Sequence, residues 1–376
     1  MVQIAHLPTE IIARILHHVT SRRDLFTCAL VNQWFYQTTT PILWRSLTFT
    51  SDEALVAFAS TTLAHHPSLG HHVHHLQSGT YPNGITFDDI VRIKTNHALT
   101  DSAFQHLIHV CPHLTSVRLE NCGITQASLA VLIHHTGPRL RCLVLKSCPH
   151  LCPDVYLPML LPVTTNDAGG CPVLDTLEIS AATTSWTNRA LTALHQLSHL
   201  TRFAIDGAPS SFLRQLLLND NVWAPRLTCL HIDNGYDLGD DDLLPFLKTH
   251  RLLQDIRLPA GQYTDATLDA MRLCLPALRR VDLSFTYAIT RRGVRALVMG
   301  CPRLTFMDLF SCCGVEADQF PEAHGECLMN GGGGGGGASG FAAYDAELLH
   351  LDEQTMHRIR LSKHQDDIGL HGLAVV

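Results

Sequence analysis

Apolar residues recur along this chain in a fixed motif: a leucine, two variable residues, an apolar residue, one variable residue and a second apolar residue. It occurs at Leu114-Val117-Leu119, Leu140-Leu143-Leu145, Leu174-Leu177-Ile179 and Leu200-Phe203-Ile205, and again at Leu227-Leu230-Ile232, Leu253-Ile256-Leu258, Leu278-Val281-Leu283 and Leu304-Met307-Leu309. Successive first positions lie 26, 34, 26, 27, 26, 25 and 26 residues apart. The alternation within each motif predicts a short strand with one buried face. Turn signals follow, as at Gly123-Ile124-Thr125 and Ala288-Ile289-Thr290, and then helical stretches such as Ser128 to Ile133. Thr100-Asp101 and Thr264-Asp265 supply cap-forming residue types at the same point of their units.

A period of this length with one strand and one helix per unit is that of leucine-rich repeats. Each unit leaves apolar edges that only a neighbour can cover, so the units are expected to stack into a curved α/β solenoid with a parallel sheet on its concave face. The strand positions that alternate with the buried ones then form the default binding surface. Its candidates for contact with a partner are Arg118, Glu120, Lys146, Glu178, Arg202, Asp206, His231, Asp233, Arg257, Asp282, Asp308 and Phe310. They carry both signs of charge and do not name the target.

Near the N-terminus the periodicity is helical. Ile11, Ile12, Ile15, Leu16 and Val19 form the stripe of a short amphipathic helix, with Pro8 barring an earlier start and Thr9 placed to cap it. A second helix is expected from about Ser21, with Asp24 in its first turn, burying Leu25, Cys28, Ala29 and Val31. Three helices this short need a partner to be stable. On periodicity alone, two readings stay open: the helices cap the repeats, or they present apolar anchors to another protein.

The same segment holds an ordered set of landmarks: Leu7-Pro8-x-Glu10-Ile11, Ile15-Leu16, Asp24-Leu25, Cys28, Val31-Asn32, Trp34, Pro41 and Leu43-Trp44. It resembles an F-box. The resemblance implies a three-helix module that docks on the adaptor of an SCF-type ubiquitin ligase, and through it on a cullin, so that substrates reach the ligase for degradation. Leu7, Pro8, Ile11, Leu25, Val31 and Trp34 are the expected adaptor-binding residues, while Trp44 is placed to pack the junction with the first repeat. Cys-Pro pairs at Cys111, Cys171 and Cys301, and cysteines after the strand at Cys122, Cys148 and Cys312, resemble the cysteine-containing repeat class that commonly follows an F-box. A repeat scaffold that binds the adaptor without delivering a substrate is the alternative.

The expected organisation is an F-box over 1–49, degenerate first repeats over 50–110, regular repeats over 111–313, a glycine-rich segment over 314–345 and a tail over 346–376. Two breaks stand out. About eight extra residues precede Leu174, where Pro162 to Gly170 has loop composition and is either a rim for binding or a tolerated insertion. Gly331 to Gly337 is an uninterrupted glycine run that cannot pack a core. Beyond it, Ala346 to Leu361 is compatible with a helix, either as a terminal cap or in an unstructured tail.

Composition narrows the function classes. With 46% hydrophobic and 16% charged residues, the 376-residue chain is a folding sequence. A net charge of −7 without a basic run argues against a nucleic-acid partner. The longest apolar stretch, Val155 to Leu161, is too short for a membrane span. With no signal peptide ahead of the helices, the thirteen cysteines are expected in a reducing compartment, cytoplasmic or nuclear.

No nucleophile elbow, phosphate loop or His-Glu-x-x-His helix is present, so an enzyme is not expected, nor a cofactor. Histidine pairs at His65-His66, His71-His72 and His74-His75 suit either a metal-responsive cluster or a solvated loop, and without ligands at defined spacing no metal is expected. Asp240-Asp241-Asp242 falls where a repeat helix should start, which favours a helix-dipole role over cation binding.

Overall fold

The computed structural model describes residues 8–49, 52–78, 99–162, 170–180, 186–218, 223–329 and 347–362. They fall into two compact units, 1–185 and 186–376, taken in turn. Among the described residues no helix is long and apolar enough to cross a membrane.

The first unit opens with α1 (Thr9–His17), α2 (Arg22–Ala29) and α3 (Gln33–Trp44). Thr9 begins α1 but does not cap it; Pro8 stands at the cap with ψ 144°, and no side chain accepts there. Ser21 caps α2 by accepting from the Asp24 N–H, and Asn32 caps α3 by accepting from Phe35. Inside α3, Thr38, Thr39 and Thr40 donate to the carbonyls of Trp34, Phe35 and Tyr36, just before Pro41 interrupts the ladder.

Five parallel strands follow: β1 (Ser46–Phe49), β2 (His75–Ser78), β3 (Ser116–Glu120), β4 (Cys142–Lys146) and β5 (Thr176–Ser180). The sheet therefore starts at Ser46, directly after α3. Val117, Leu119, Leu143, Leu145, Leu177 and Ile179 point inward against Phe104 and Leu107 of helix Asp101–Val110 and Leu129 and Leu132 of helix Gln126–Thr136.

In the second unit β6 (Arg202–Asp206), β7 (Cys229–Ile232), β8 (Asp255–Arg257), β9 (Arg280–Asp282) and β10 (Phe306–Asp308) are parallel and in register. Helices Asp240–Thr249, Asp265–Cys274 and Arg291–Gly300 pack behind them. A small antiparallel pair, β11 (Leu328–Met329) with β12 (Glu347–Leu348), precedes β13 (His350–Leu351), which runs antiparallel to β10. The tail thus forms a terminal cap, completed by helix Glu353–Leu361. Arg360 of that helix donates from Nε to the Val298 carbonyl at 3.0 Å and from Nη2 to those of Cys301 and Leu304 at 3.0 and 2.9 Å. It satisfies carbonyls that the end of helix Arg291–Gly300 leaves without intrahelical partners.

Helix starts are tied from one repeat to the next. Asp101 accepts from the Thr125 N–H at 2.8 Å, the Thr125 hydroxyl at 2.7 Å and Ser128 at 2.6 Å. Asp240 does the same with Thr264 (3.0 and 2.6 Å) and Thr267 (2.5 Å), and Asp265 with Thr290 (2.8 and 2.6 Å). Each threonine in turn caps its own helix. The carboxyl of Asp265 lies so close to Gly293 that a Cβ there would come within 2.2 Å of Oδ1. The aspartate triplet at 240–242 therefore serves helix starts; Asp242 accepts from the Gly239 N–H at 3.0 Å.

A residue past the strand takes the left-handed conformation in seven repeats: Asn121, Ser147 and Gly207 directly after β3, β4 and β6, Asn234 two residues past β7, and Ala260, Phe285 and Ser311 three residues past β8, β9 and β10. Cysteines fill corners as small buried groups. Cys312 donates to the Leu283 carbonyl at 3.1 Å, and burial raises the thiols of Cys111, Cys171 and Cys312 to about 12 and that of Cys301 to about 11. All thirteen cysteines are free.

Two predictions follow from these ties. Burial alone would raise Asp240, but the hydrogen bonds from Thr264 and Thr267 outweigh it and hold the carboxyl below its usual range. A carboxylate depressed by folding stabilises above its unfolded pKa and loses that contribution as pH falls through the folded value. Asp240→Ala should therefore cost about 1–3 kcal/mol near neutral pH by urea titration, and the gap to wild type should close in acid below the ordinary carboxylate range; a gap constant with pH would refute the tie. Arg360→Ala should release helix Glu353–Leu361, read as faster amide exchange there while exchange in helix Asp240–Thr249 stays unchanged.

Candidate functional site: the N-terminal helical face and the strand faces

The three N-terminal helices close around Ile12, Leu16 and Leu25, with Val19, Cys28, Trp34, Phe35, Ile42 and Leu43 packed against them. The apolar stripe of α1 is split by this packing. Ile12 and Leu16 are buried, while Ile11 and Ile15 are 41% and 54% exposed. On and after α2, Leu25 and Ala29 face inward and Phe26, Leu30 and Val31 outward, the last two at 69% and 62% exposure. Tyr36 of α3 is also exposed.

Among the expected adaptor contacts, the structure separates two groups. Pro8, Ile11 and Val31 are exposed and available. Leu25 is buried in the helical core, and Trp34, partly buried, packs on it. Burial of Val31 was expected and does not occur, because α2 ends at Ala29 and the turn carries Val31 outward. Leu7 lies outside the described residues.

Ile15, Phe26, Leu30 and Tyr36 complete the exposed apolar set and escape the sequence reading. Their signal is an i, i+4 pair, Ile11 with Ile15 and Phe26 with Leu30, on the opposite edge of each short helix. A groove of about 730 Å³ continues from this set, lined by Phe26, Leu30, Tyr36, Trp44, Phe49 and Phe58. Trp44 stacks on Phe58 with centroids 5.7 Å apart, where helix meets first strand, and Arg22 ties α2 to the same junction through the Leu43 and Ser46 carbonyls.

In each unit the alternate strand positions line one face of the strands, as their register requires. In the first unit, Arg118 and Lys146 flank Glu178, whose carboxylate lies 3.2 Å from Lys146 Nζ and 4.0 Å from Arg118. Glu178 is only 5% exposed. It neutralises its neighbours and is not an open contact, a correction whose cause is the length of the two cations folded over it. Glu120 beside them is raised, first by burial and then by Glu178, against the pull of Lys146 and Arg118.

In the second unit Arg257 sits between Asp233 and Asp282 at 3.2 and 3.1 Å. Burial raises Asp233, and Asp206 and Asp282 add to that against Arg257. Burial also raises Asp308, with Asp282 adding. Asp206 accepts from Asn234, and Asp308 accepts from the Phe310 N–H at 3.0 Å. Arg202 pairs in register with Cys229 at the opposite end of the strands.

Cys229, His231 and Asp255 bring a thiol, an imidazole and a carboxylate within 4.8 Å of one another, the one such group among the described residues. His231 Nε2 lies 3.2 Å from Cys229 Sγ and 3.3 Å from Asp255 Oδ1. A nucleophile relay needs the carboxylate on the ring nitrogen remote from the thiol. Here both meet the same nitrogen, so the group does not form one; its donor set is of the kind that holds a transition metal. In the 65–75 histidine stretch, by contrast, His65 bonds the Thr61 carbonyl at 2.6 Å and His74 stacks on His113 with centroids 6.1 Å apart. The 163–169 part of the insertion before Leu174 and the glycine run lie outside the described residues.

No curated protein matches the sequence. Among the solved structures that resemble it in part are two repeat proteins. One, from the crystal structure of the Rad7 and Elc1 complex in yeast, is 16% identical, with 72% of this chain and 71% of that one covered and a TM-score of 0.46. The other, internalin C2 from Listeria monocytogenes, is 17% identical, with 62% and 85% covered and a TM-score of 0.36. The family described as the COS11 F-box domain matches residues 4–79, so the segment that holds the N-terminal helices and the first two strands is an F-box region, and the strand–helix repeats continue beyond it.

Proposed function

We propose that this chain is the substrate-recognition subunit of an SCF-type ubiquitin ligase. The observation that carries the reading is the coincidence, in one segment, of the F-box match over residues 4–79 with an exposed apolar face at Ile11, Ile15, Phe26, Leu30 and Val31. A face of this kind needs a partner of complementary shape. The adaptor covers it, and a cullin joins through the adaptor.

The chain itself performs no bond chemistry. Its contribution is effective concentration: a protein held at the strand faces is brought near activated ubiquitin and thence to proteasomal degradation. Arg118, Glu120, Lys146, Arg202, Asp206, His231, Asp233, Arg257, Asp282, Asp308 and Phe310 supply the contacts, in the cytoplasm or nucleus.

Leu30→Ser with Val31→Ser changes only exposed side chains, so the helices should keep their fold. In a binding assay with the purified SCF adaptor, the pair should weaken affinity ~tenfold or more, in line with the loss of buried apolar anchors. Wild-type affinity in the double variant, or a wild-type chain that ignores the adaptor, would reject the docking role. A partner that binds the repeats yet is never ubiquitinated by the assembled ligase would leave a scaffold instead.

A further inference from the structure

The second unit holds a cavity of about 960 Å³ beside the ends of its last strands. Three aromatic rings line it: Phe285, Tyr287 and Phe320. Phe285 and Tyr287 are 40% and 64% exposed, whereas Phe320 is buried in the floor. Glu316 and Asp318 also line it, and among the described residues no lysine, arginine or histidine does. Arg295 lies over the ring of Phe320, with its guanidinium 5.2 Å from the centroid, and is bound by Glu322 at 2.9 Å.

Phe285 stands where Asn121, Gly207, Asn234, Ala260 and Ser311 stand in other repeats, with φ 60°. A bulky side chain is costly in this conformation. The ring is held edge-on to Phe310, centroids 5.2 Å apart at 90°, and its N–H donates to the Phe310 carbonyl at 2.8 Å. The strand face leading to the cavity is acidic at the same end: Asp282 and Asp308 lie in register.

We infer that this cavity receives an arginine or lysine side chain from an extended, basic segment of a partner protein. Aromatic faces attract a cation, and the guanidinium stacks on them. Glu316 and Asp318 complement its charge, and Asp308 on β10 receives a further basic residue of the same segment. This rests on the receptor reading above and names the chemistry of what the receptor holds, but it is testable without the adaptor.

The probe is a fluorescein-labelled peptide alternating arginine and glycine, with a citrulline counterpart that keeps shape and loses charge, titrated against the full chain by anisotropy. The arginine peptide should bind, more weakly as salt rises, and the citrulline peptide ~fivefold or more weakly. Phe285→Asn places a residue that two other repeats already carry in this conformation, so it should melt as a folded protein and lose ~fivefold or more in arginine-peptide affinity. Glu316→Gln with Asp318→Asn should do the same. Equal binding of both peptides, or full binding by folded Phe285→Asn, overturns the inference. If the arginine peptide does not bind while the adaptor does, the cavity assignment falls and the receptor reading stands; peptide binding without adaptor binding has the reverse meaning.

Discussion

One-to-one parallel pairing of the strands is the constraint on which the remaining features rest. In each unit a residue near the strand start donates its N–H to its counterpart one repeat earlier: Arg141 to Thr115, Gln254 to Thr228, Arg279 to Gln254 and Thr305 to Arg279, all at 2.8 Å. With that register kept, residues about one period apart fall into lines. Buried leucines line up behind the sheet, charges in front of it, left-handed residues at the strand ends and aspartate–threonine ties at the helix starts. A slip by one residue would exchange the inner and outer faces.

The period was legible because the inward positions must be apolar in every repeat, whatever the repeat's function. The Thr-Asp helix starts could be read for the same reason, since their chemistry is local. The binding positions were less legible, because alternation says which way a side chain leaves the strand but not what folds over it. Glu178 leaves its strand on the side of the open contacts, yet it is covered by Lys146 and Arg118, which lie one and two repeats before it. In α1 and α2, both edges of each helix are apolar, and only the packing of Ile12, Leu16 and Leu25 decides that Ile15, Phe26 and Leu30 remain outside. The cap formed by β13 left almost no signal, as two residues pair by main chain alone.

The strands of the two units solve the same electrostatic problem differently. In the first, a buried glutamate is shared by two cations. In the second, Arg257 is shared by two carboxylates, with Asp308 further along the same line and raised by burial and by Asp282. Excess negative charge on a folded surface costs stability through self-repulsion. It is tolerated most easily where an external cation relieves it.

The reversed direction of β13 sets a limit on how such a chain can lengthen. An array of parallel strands with an open last edge accepts one more repeat, whether gained by duplication or lent by another molecule. Here that edge is taken by a strand of opposite sense, and the carbonyls at the end of helix Arg291–Gly300 are already held by Arg360. New repeats can be inherited only by insertion upstream of the last strand–helix pair, and the capping segment has to travel with that pair as one heritable piece.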